Sequence, residues 1–155
     1  MIRLQKVKVV TDSTGDLTPE LLSRYDIQVV PLYVRFGDEI FADGVELDNR
    51  QLFQRVADTG VMPQTAAPTP EDFLKVFKKI LDEGQDVICI CLSSHLSATV
   101  QSATIAAGDC PAGRVQVVDG LNLSMATGML ALYAAELAGE GMGLEELTAK
   151  VQSRI

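Results

Sequence analysis

Apolar residues along this chain alternate between short runs rich in β-branched side chains and longer segments in which they recur at helical spacing. Residues 86–92 are apolar at almost every position, which is typical of a strand buried on both faces of a parallel sheet. Shorter runs at residues 7–10, 27–32 and 114–119 predict three further strands. Helices are predicted after Thr18, from Asp48 to about residue 58, and at residues 69–84, about 97–107, 124–139 and 144–155.

Strands that alternate with helices predict an α/β fold, with three α/β/α layers around a mostly parallel sheet. Residues 33–41 add a small antiparallel hairpin, because two short strand patterns flank a Gly-Asp turn. Right-handed crossovers place the loops after the parallel strands along one edge of the sheet, where such folds bind their ligands. We expect the turn around Thr65 to fold towards that edge. The loops expected to converge there are residues 11–16, 93–97 and 119–124.

Length and charge narrow the class of protein. With 155 residues the chain is interpreted as a single α/β domain, residues 1–155. A domain of this size buries a sufficient core without disulfide bonds or a structural metal ion. A net charge of −8 argues against nucleic acid or an anionic membrane surface as a partner. A membrane-spanning helix needs about 18 consecutive apolar residues, and no run in this sequence is that long, so we expect no stable membrane insertion. Residues 1–6 lack the apolar core of a signal peptide.

The three cysteines indicate a reducing, cytoplasmic location. Cys89 and Cys91 are two positions apart inside a predicted strand, so both side chains lie on one face and pack in the core. Only His95 and Cys110 lie near them, and the spacing is not that of zinc ligands. We therefore expect no metal site and no bound cofactor.

The predicted helix at residues 124–139 is rich in Ala and Leu and carries few charges, so we expect it to be well buried. Met125, Met129 and Met142 are interpreted as core side chains rather than as a lipid-facing surface. Flexible thioethers would nevertheless also suit an alkyl chain.

Two short segments gather hydroxyl side chains where a loop gives way to a helix, at residues 64–70 and 92–103. Backbone N–H groups, hydroxyls and a helix N-terminus in these positions suit one small anion, either a carboxylate or a phosphate. Simpler interpretations stay open, with Ser97 as a helix N-cap and Thr65 as a turn hydroxyl that bonds its own backbone. Neither segment contains an obvious acid, base or metal-ligand set, which favours binding over chemistry.

Other chemistries have weaker support. Residues 12–16, after the first strand, have no G-x-G-x-x-G pattern and no Walker lysine, and their two aspartates would repel a phosphate. The serines around His95 lack the G-x-S-x-G pattern of hydrolases. A small-molecule hydrolase or phosphatase with Asp12, Asp119 and His95 as acid and base is the alternative. Carboxylates at the ends of strands, such as Asp12 and Asp119, more often accept hydrogen bonds from loop N–H groups and so fix the geometry of a turn. A pure interaction module is a third hypothesis.

Several motifs resemble, in order and spacing, those of the bacterial DegV family over essentially the whole chain. They are Val10-Thr11-Asp12-Ser13-Thr14, Val30-Pro31-Leu32-Tyr33-Val34, Asp43-Gly44-Val45, residues 65–70, residues 93–103 and Val118-Asp119. The resemblance implies a carrier, not an enzyme, that binds a long-chain fatty acid and presents its carboxylate to the catalytic subunit of a separate fatty acid kinase. It also implies the residues that hold the carboxylate. These are the Thr of a T-S-Q-P-S turn and the Ser before G-T in an S-S-x-L-S-G-T segment, which fall on Thr65 and Ser97.

Around Thr65 and Ser97 we expect a second group of pocket residues, and the resemblance also implies a domain organisation. The second group is Ser13, Ser94, Thr99, Asp12 and Asp119. The family chain is about twice as long, so residues 1–155 are expected to be the N-terminal half of a two-domain chain. With half of the acyl tunnel missing, we expect the isolated domain to bind fatty acid weakly or not at all. A homodimer of the isolated domain through its exposed apolar wall is the alternative.

The sequence departs from the family pattern at four positions. Ala66 and Ala67 replace polar residues in the turn, Ala98 stands where Gly is usual, and Gly120 stands where Ser is expected. Ala98 is expected to be tolerated just inside a helix. The loss of polar groups at Ala66 and Gly120 is expected to loosen or reshape the head-group site.

Overall fold

The computed structural model describes residues 6–155, in which strands alternate with helices. The strands are β1 (Val7–Asp12), β2 (Gln28–Val30), β3 (Tyr33–Phe36), β4 (Glu39–Ala42), β5 (Gln64–Ala66), β6 (Asp86–Cys91) and β7 (Val115–Asp119). The helices are α1 (Pro19–Arg24), α2 (Asn49–Thr59), α3 (Pro70–Asp82), α4 (Thr99–Gly108), α5 (Met125–Gly139) and α6 (Leu144–Gln152). All the predicted elements are present, and β5 is an addition. The prediction for residues 1–5 lies outside the described residues.

A parallel four-stranded sheet in the order β2-β1-β6-β7 forms the middle layer. Successive side chains of a strand point to opposite faces, so each face buries its own set of residues. Val9 and Ile90 belong to a cluster with buried residues of α5 and α6, whereas Val10 and Cys89 pack with Phe77 of α3 and with α4. The predicted α/β/α layers are therefore confirmed, with β6 apolar on both faces.

A second, antiparallel sheet in the order β4-β3-β5 contains the predicted hairpin, β3–β4. Gly37 in its turn has a φ of 61°, a conformation that glycine adopts without strain. The third strand corrects the sequence analysis, which predicted a turn around Thr65. Thr65 lies in β5 and pairs with Val34 of β3. The segment is extended because β3 supplies its backbone hydrogen bonds.

Side-chain caps begin the helices that the sequence predicted. Thr18 accepts a backbone hydrogen bond in the first turn of α1. Asp48 and Gln51 form a reciprocal capping box at α2, and Thr69 and Asp72 form another at α3. These local signals placed three helix starts correctly.

The methionines of α5 are a correction. Met125 and Met129 are 43% and 64% exposed, although core positions were predicted for both. Met142 does pack against the core cluster, as expected. The helix is apolar on all sides, and it buries small residues such as Ala131 and Ala134 against the sheet. Its sequence pattern therefore does not reveal which side faces solvent.

Candidate functional site

The loops that follow β1, β6 and β7 meet at the carboxyl edge of the parallel sheet, as the topology predicted. The Leu92 N–H donates to Asp12 Oδ2 at 2.8 Å, which joins the first two loops. The Ser93 N–H donates to the Asn122 carbonyl at 2.8 Å, which joins the second and third. The three loops therefore form one surface.

Asp12, at the end of β1, uses both carboxylate oxygens to fix these loops. Oδ2 accepts from Leu92, and Oδ1 accepts from the Thr14 N–H at 2.9 Å and from the Thr14 hydroxyl. The residue is 1% exposed. Burial raises the pKa of Asp12, although the hydrogen bonds from Thr14 and Leu92 oppose this. These contacts match the structural role considered for Asp12.

Asp119, at the end of β7, makes equivalent contacts. Its Oδ1 accepts from the backbone N–H groups of Ser94 and Leu121, each at 3.1 Å. Burial acts to raise the pKa of Asp119, but the hydrogen bonds from Ser94 and Leu121 outweigh it and lower the pKa. His95 is exposed, and its N–H donates to the Ser93 hydroxyl at 3.2 Å. Asp119 therefore also makes the turn-fixing contacts of a structural residue.

Ser13 connects the antiparallel sheet to this edge. Its hydroxyl accepts from the Leu32 N–H at 3.0 Å, and Leu32 directly precedes β3. Thr65 lies on β5, the strand beside β3. Its side chain is exposed, and its hydroxyl has no hydrogen-bond partner within residues 6–155. That Thr65 and Ser97 reach a common head group stays a prediction.

Ser97 lies before α4 in a conformation that differs from the predicted one. The helix begins at Thr99 with Ala98 at the N-cap, two residues later than expected, so Ser97 is not the cap. The Ser97 hydroxyl accepts from the Thr99 N–H at 3.2 Å, a local side-chain turn. Its oxygen also lies 2.8 Å from the hydroxyl oxygen of Thr99. Ser97 is half-buried and Thr99 fully buried.

Two contacts between the turn after β1 and the start of α5 were missed by the sequence analysis. The Ser124 hydroxyl donates to Asp16, and Ser124 has a φ of 59° and a ψ of −141°, a conformation that residues other than glycine rarely adopt. Gly128 approaches Gly15 so closely that an added Cβ would lie 2.2 Å from the Gly15 carbonyl oxygen. Gly15 and Gly128 were the only sign in the sequence that these two segments approach each other closely.

Gly120, a departure from the family pattern, is explained by a similar approach. Its N–H donates to the Cys91 carbonyl at 2.9 Å, and an added Cβ would lie 2.7 Å from that oxygen. The serine expected from the resemblance does not fit here unless the loop moves away from β6.

Large apolar side chains are exposed on the same edge, in a set that we call the rim apolar surface. It consists of Leu96, Leu121, Leu123, Met125 and Met129, which are 43–65% exposed. All lie in the joined loops after β6 and β7 or in the first turns of α5. Exposed apolar side chains gathered in one region mark binding surfaces.

A cleft of about 580 Å³ is lined by Asp12 and Ser13. The carboxylates of Asp16, Asp43 and Asp48 also line it, so its negative charge would repel a carboxylate ligand. Within residues 6–155 no group of three or more His, Cys, Asp or Glu side chains is placed to hold a metal ion. No helix in this part of the chain is long and apolar enough to cross a bilayer.

The fold and its edge define an α/β/α domain with a candidate ligand site at the carboxyl ends of the parallel strands. The DegV family model matches residues 6–155, and the chain belongs to the DegV family.

Relatives and solved structures agree with this assignment. A DegV domain-containing protein of Clostridium perfringens is 36% identical over 148 residues, which cover 96% of this chain and 53% of the relative. A structure described as fatty acid binding of a DegV family protein from Thermus thermophilus has a TM-score of 0.87 and 41% identity, over 96% of this chain and 53% of that one. A stearic acid-binding protein from Eubacterium ventriosum has a TM-score of 0.86 and 28% identity, over 94% and 52%. The chain spans about half the length of the curated relatives it matches.

Proposed function

We propose that the protein is a non-catalytic carrier that binds a long-chain fatty acid, with its carboxylate held by the hydroxyls of Thr65 and Ser97. The observation that carries the proposal is the difference between the carboxylates at the sheet edge, which accept hydrogen bonds from the loops, and a hydroxyl on the neighbouring antiparallel sheet that has no partner within residues 6–155. Asp12 and Asp119 accept hydrogen bonds from the loops, whereas the Thr65 hydroxyl is exposed without a partner in the described chain. Hydroxyls that can still donate suit an anion, whereas buried Asp12 has both oxygens engaged and is poorly suited to acid–base work. Ser13, Ser94 and Thr99 support the head-group site.

The rim apolar surface is the proposed contact for the acyl chain. Each buried methylene contributes about 0.8 kcal/mol, so a long alkyl chain supplies the affinity and the hydroxyls supply the orientation. The fatty acids named for the Thermus and Eubacterium proteins are consistent with this division. When residues 1–155 are isolated, we propose that this surface binds lipid weakly and pairs two copies of the domain instead.

The proposed role includes a partner and a second domain. The family resemblance implies a fatty acid kinase, whose ATP-using subunit phosphorylates the presented carboxylate. The matched relatives are about twice as long, which supports a second domain in the complete protein. Residues 1–155 are proposed as its first domain, and the protein is proposed to be cytoplasmic.

The test is a titration of the complete gene product with stearate, measured by displacement of a fluorescent fatty acid, with residues 1–155 alone in parallel. The variant combines Thr65→Ala and Ser97→Ala. Loss of two hydrogen bonds to a charged group is expected to weaken binding by more than about tenfold. Thr104→Ala is the matched control, because Thr104 is an exposed hydroxyl on α4 that donates to the Val100 carbonyl. If the double variant and the control bind stearate with equal affinity, Thr65 and Ser97 do not hold the carboxylate.

A further inference from the structure

Thr99 has one available partner for its hydroxyl. The residue opens α4 and is 0% exposed. Its Oγ1 lies 2.8 Å from Ser97 Oγ, and no other side-chain hydrogen bond of Thr99 is formed within residues 6–155. The distance alone allows either hydroxyl to donate. The direction of this bond decides what Ser97 can offer to a ligand.

Burial decides the direction. If Ser97 donated, the Thr99 proton would be enclosed without an acceptor, which buried hydroxyl donors avoid. If Thr99 donates, its proton is satisfied, and the proton of the half-buried Ser97 points towards solvent or a ligand. We propose that Thr99 donates its hydroxyl proton to Ser97 and is the positioning residue that makes Ser97 a hydrogen-bond donor.

With this direction, both acceptor positions of the Ser97 hydroxyl are occupied and only its proton is free. A hydroxyl oxygen has two acceptor positions and one proton. The Thr99 N–H occupies one position, at 3.2 Å, and the Thr99 hydroxyl occupies the other. Ser97 can therefore only donate at the sheet edge. That suits an ionised carboxylate, which only accepts. This consequence rests on the proposed function, whereas the direction of the bond does not.

The direction is tested without ligand by NMR of residues 1–155. A buried, hydrogen-bonded hydroxyl proton exchanges slowly enough with water to be observed, whereas a proton facing solvent is lost. A protected hydroxyl proton is expected on Thr99 and none on Ser97. A protected proton on Ser97, or on neither residue, overturns the proposal.

The effect on binding is tested with stearate and the complete gene product. Thr99→Val, which has the same shape without the hydroxyl, is expected to weaken binding by about three- to tenfold, the range for one hydrogen bond. Thr99→Ser is expected to stay within about twofold, and so is Thr104→Val, which removes a hydroxyl elsewhere on α4.

A double-mutant cycle distinguishes the positioning of Ser97 by Thr99 from a purely structural role of Thr99. In a Ser97→Ala background, Thr99→Val is expected to change affinity by less than about twofold, because the group that it positions is gone. The same loss in both backgrounds, or wild-type affinity of the single Thr99→Val variant, overturns the proposal. Wild-type affinity of Ser97→Ala alone would instead refute the proposed function, and the NMR experiment would still decide the direction of the bond.

Discussion

Replacement of Gly128 by alanine is expected to destabilise the protein by forcing α5 away from the turn after β1. The added Cβ would lie 2.2 Å from the Gly15 carbonyl oxygen and 3.0 Å from a methyl carbon of Leu17. The Leu17 side chain can rotate, but the carbonyl belongs to the backbone of the 3₁₀ turn Ser13–Gly15. A normal carbon–oxygen contact requires the two elements to separate by about 1 Å.

Two effects of opposite sign determine how much Gly128→Ala changes the free energy of unfolding. Overpacking costs about 1–3 kcal/mol, and a backbone obstacle puts this substitution at the upper end. Alanine is favoured over glycine inside a helix by about 1 kcal/mol. We therefore expect a net loss of about 2 kcal/mol in the free energy of unfolding, measured from the urea midpoint at constant slope.

Gly139→Ala is the matched control, because it lies in the same helix and an added Cβ meets no atom within 4 Å. That variant is expected to match the wild type or to gain up to about 1 kcal/mol. If Gly128→Ala proves as stable as Gly139→Ala, the close approach of helix and turn does not constrain the fold, and the reasoning is wrong.

Thiol reactivity and acid stability provide two more predictions. Cys89 and Cys91 are both fully buried, and the hydrogen bond with Cys89 together with burial raises the pKa of Cys91. A disulfide reagent near pH 8 should therefore label at most Cys110 in the native protein and all three thiols after unfolding. Native labelling of two thiols would contradict this. The pKa of Asp119 lies below its ordinary 3.8, so its stabilising effect is complete above that value and declines as the pH falls through the folded-state pKa. Asp119→Asn should therefore differ from the wild type more near pH 6 than near pH 3 in urea unfolding, and an equal difference at both would refute it.

Much of the parallel sheet and its helices could be predicted because their signals are local. The capping box of Thr69 and Asp72 spans four positions, and the apolar residues of β6 are consecutive. The same holds for the site loops, because parallel topology alone brings the ends of β1, β6 and β7 to one edge. Elements defined within a few residues were therefore placed with small errors at their ends.

The strand β5 could not be predicted for the opposite reason. All three of its side chains are exposed, so it has no alternating apolar pattern. Its backbone bonds go to β3, a partner distant in sequence. The exposure of Met125 and Met129 was missed because α5 is apolar on all sides and its packing is decided by the close contact at Gly128.

Whether such an edge catalyses a reaction or only holds a ligand depends on which groups keep free bonding capacity. A general base needs an acceptor that the fold has not already used. Asp12 accepts through both of its oxygens, whereas within residues 6–155 Asp119 accepts loop N–H groups through Oδ1 alone and the His95 imidazole is exposed. The hydroxyls of Thr65 and Ser97 can still donate. Since hydroxyls that can donate stabilise an anion, and since buried Asp12 already uses both of its oxygens and is no partner for acid–base work with Asp119 or His95, this balance supports carriage over hydrolysis as the proposed activity.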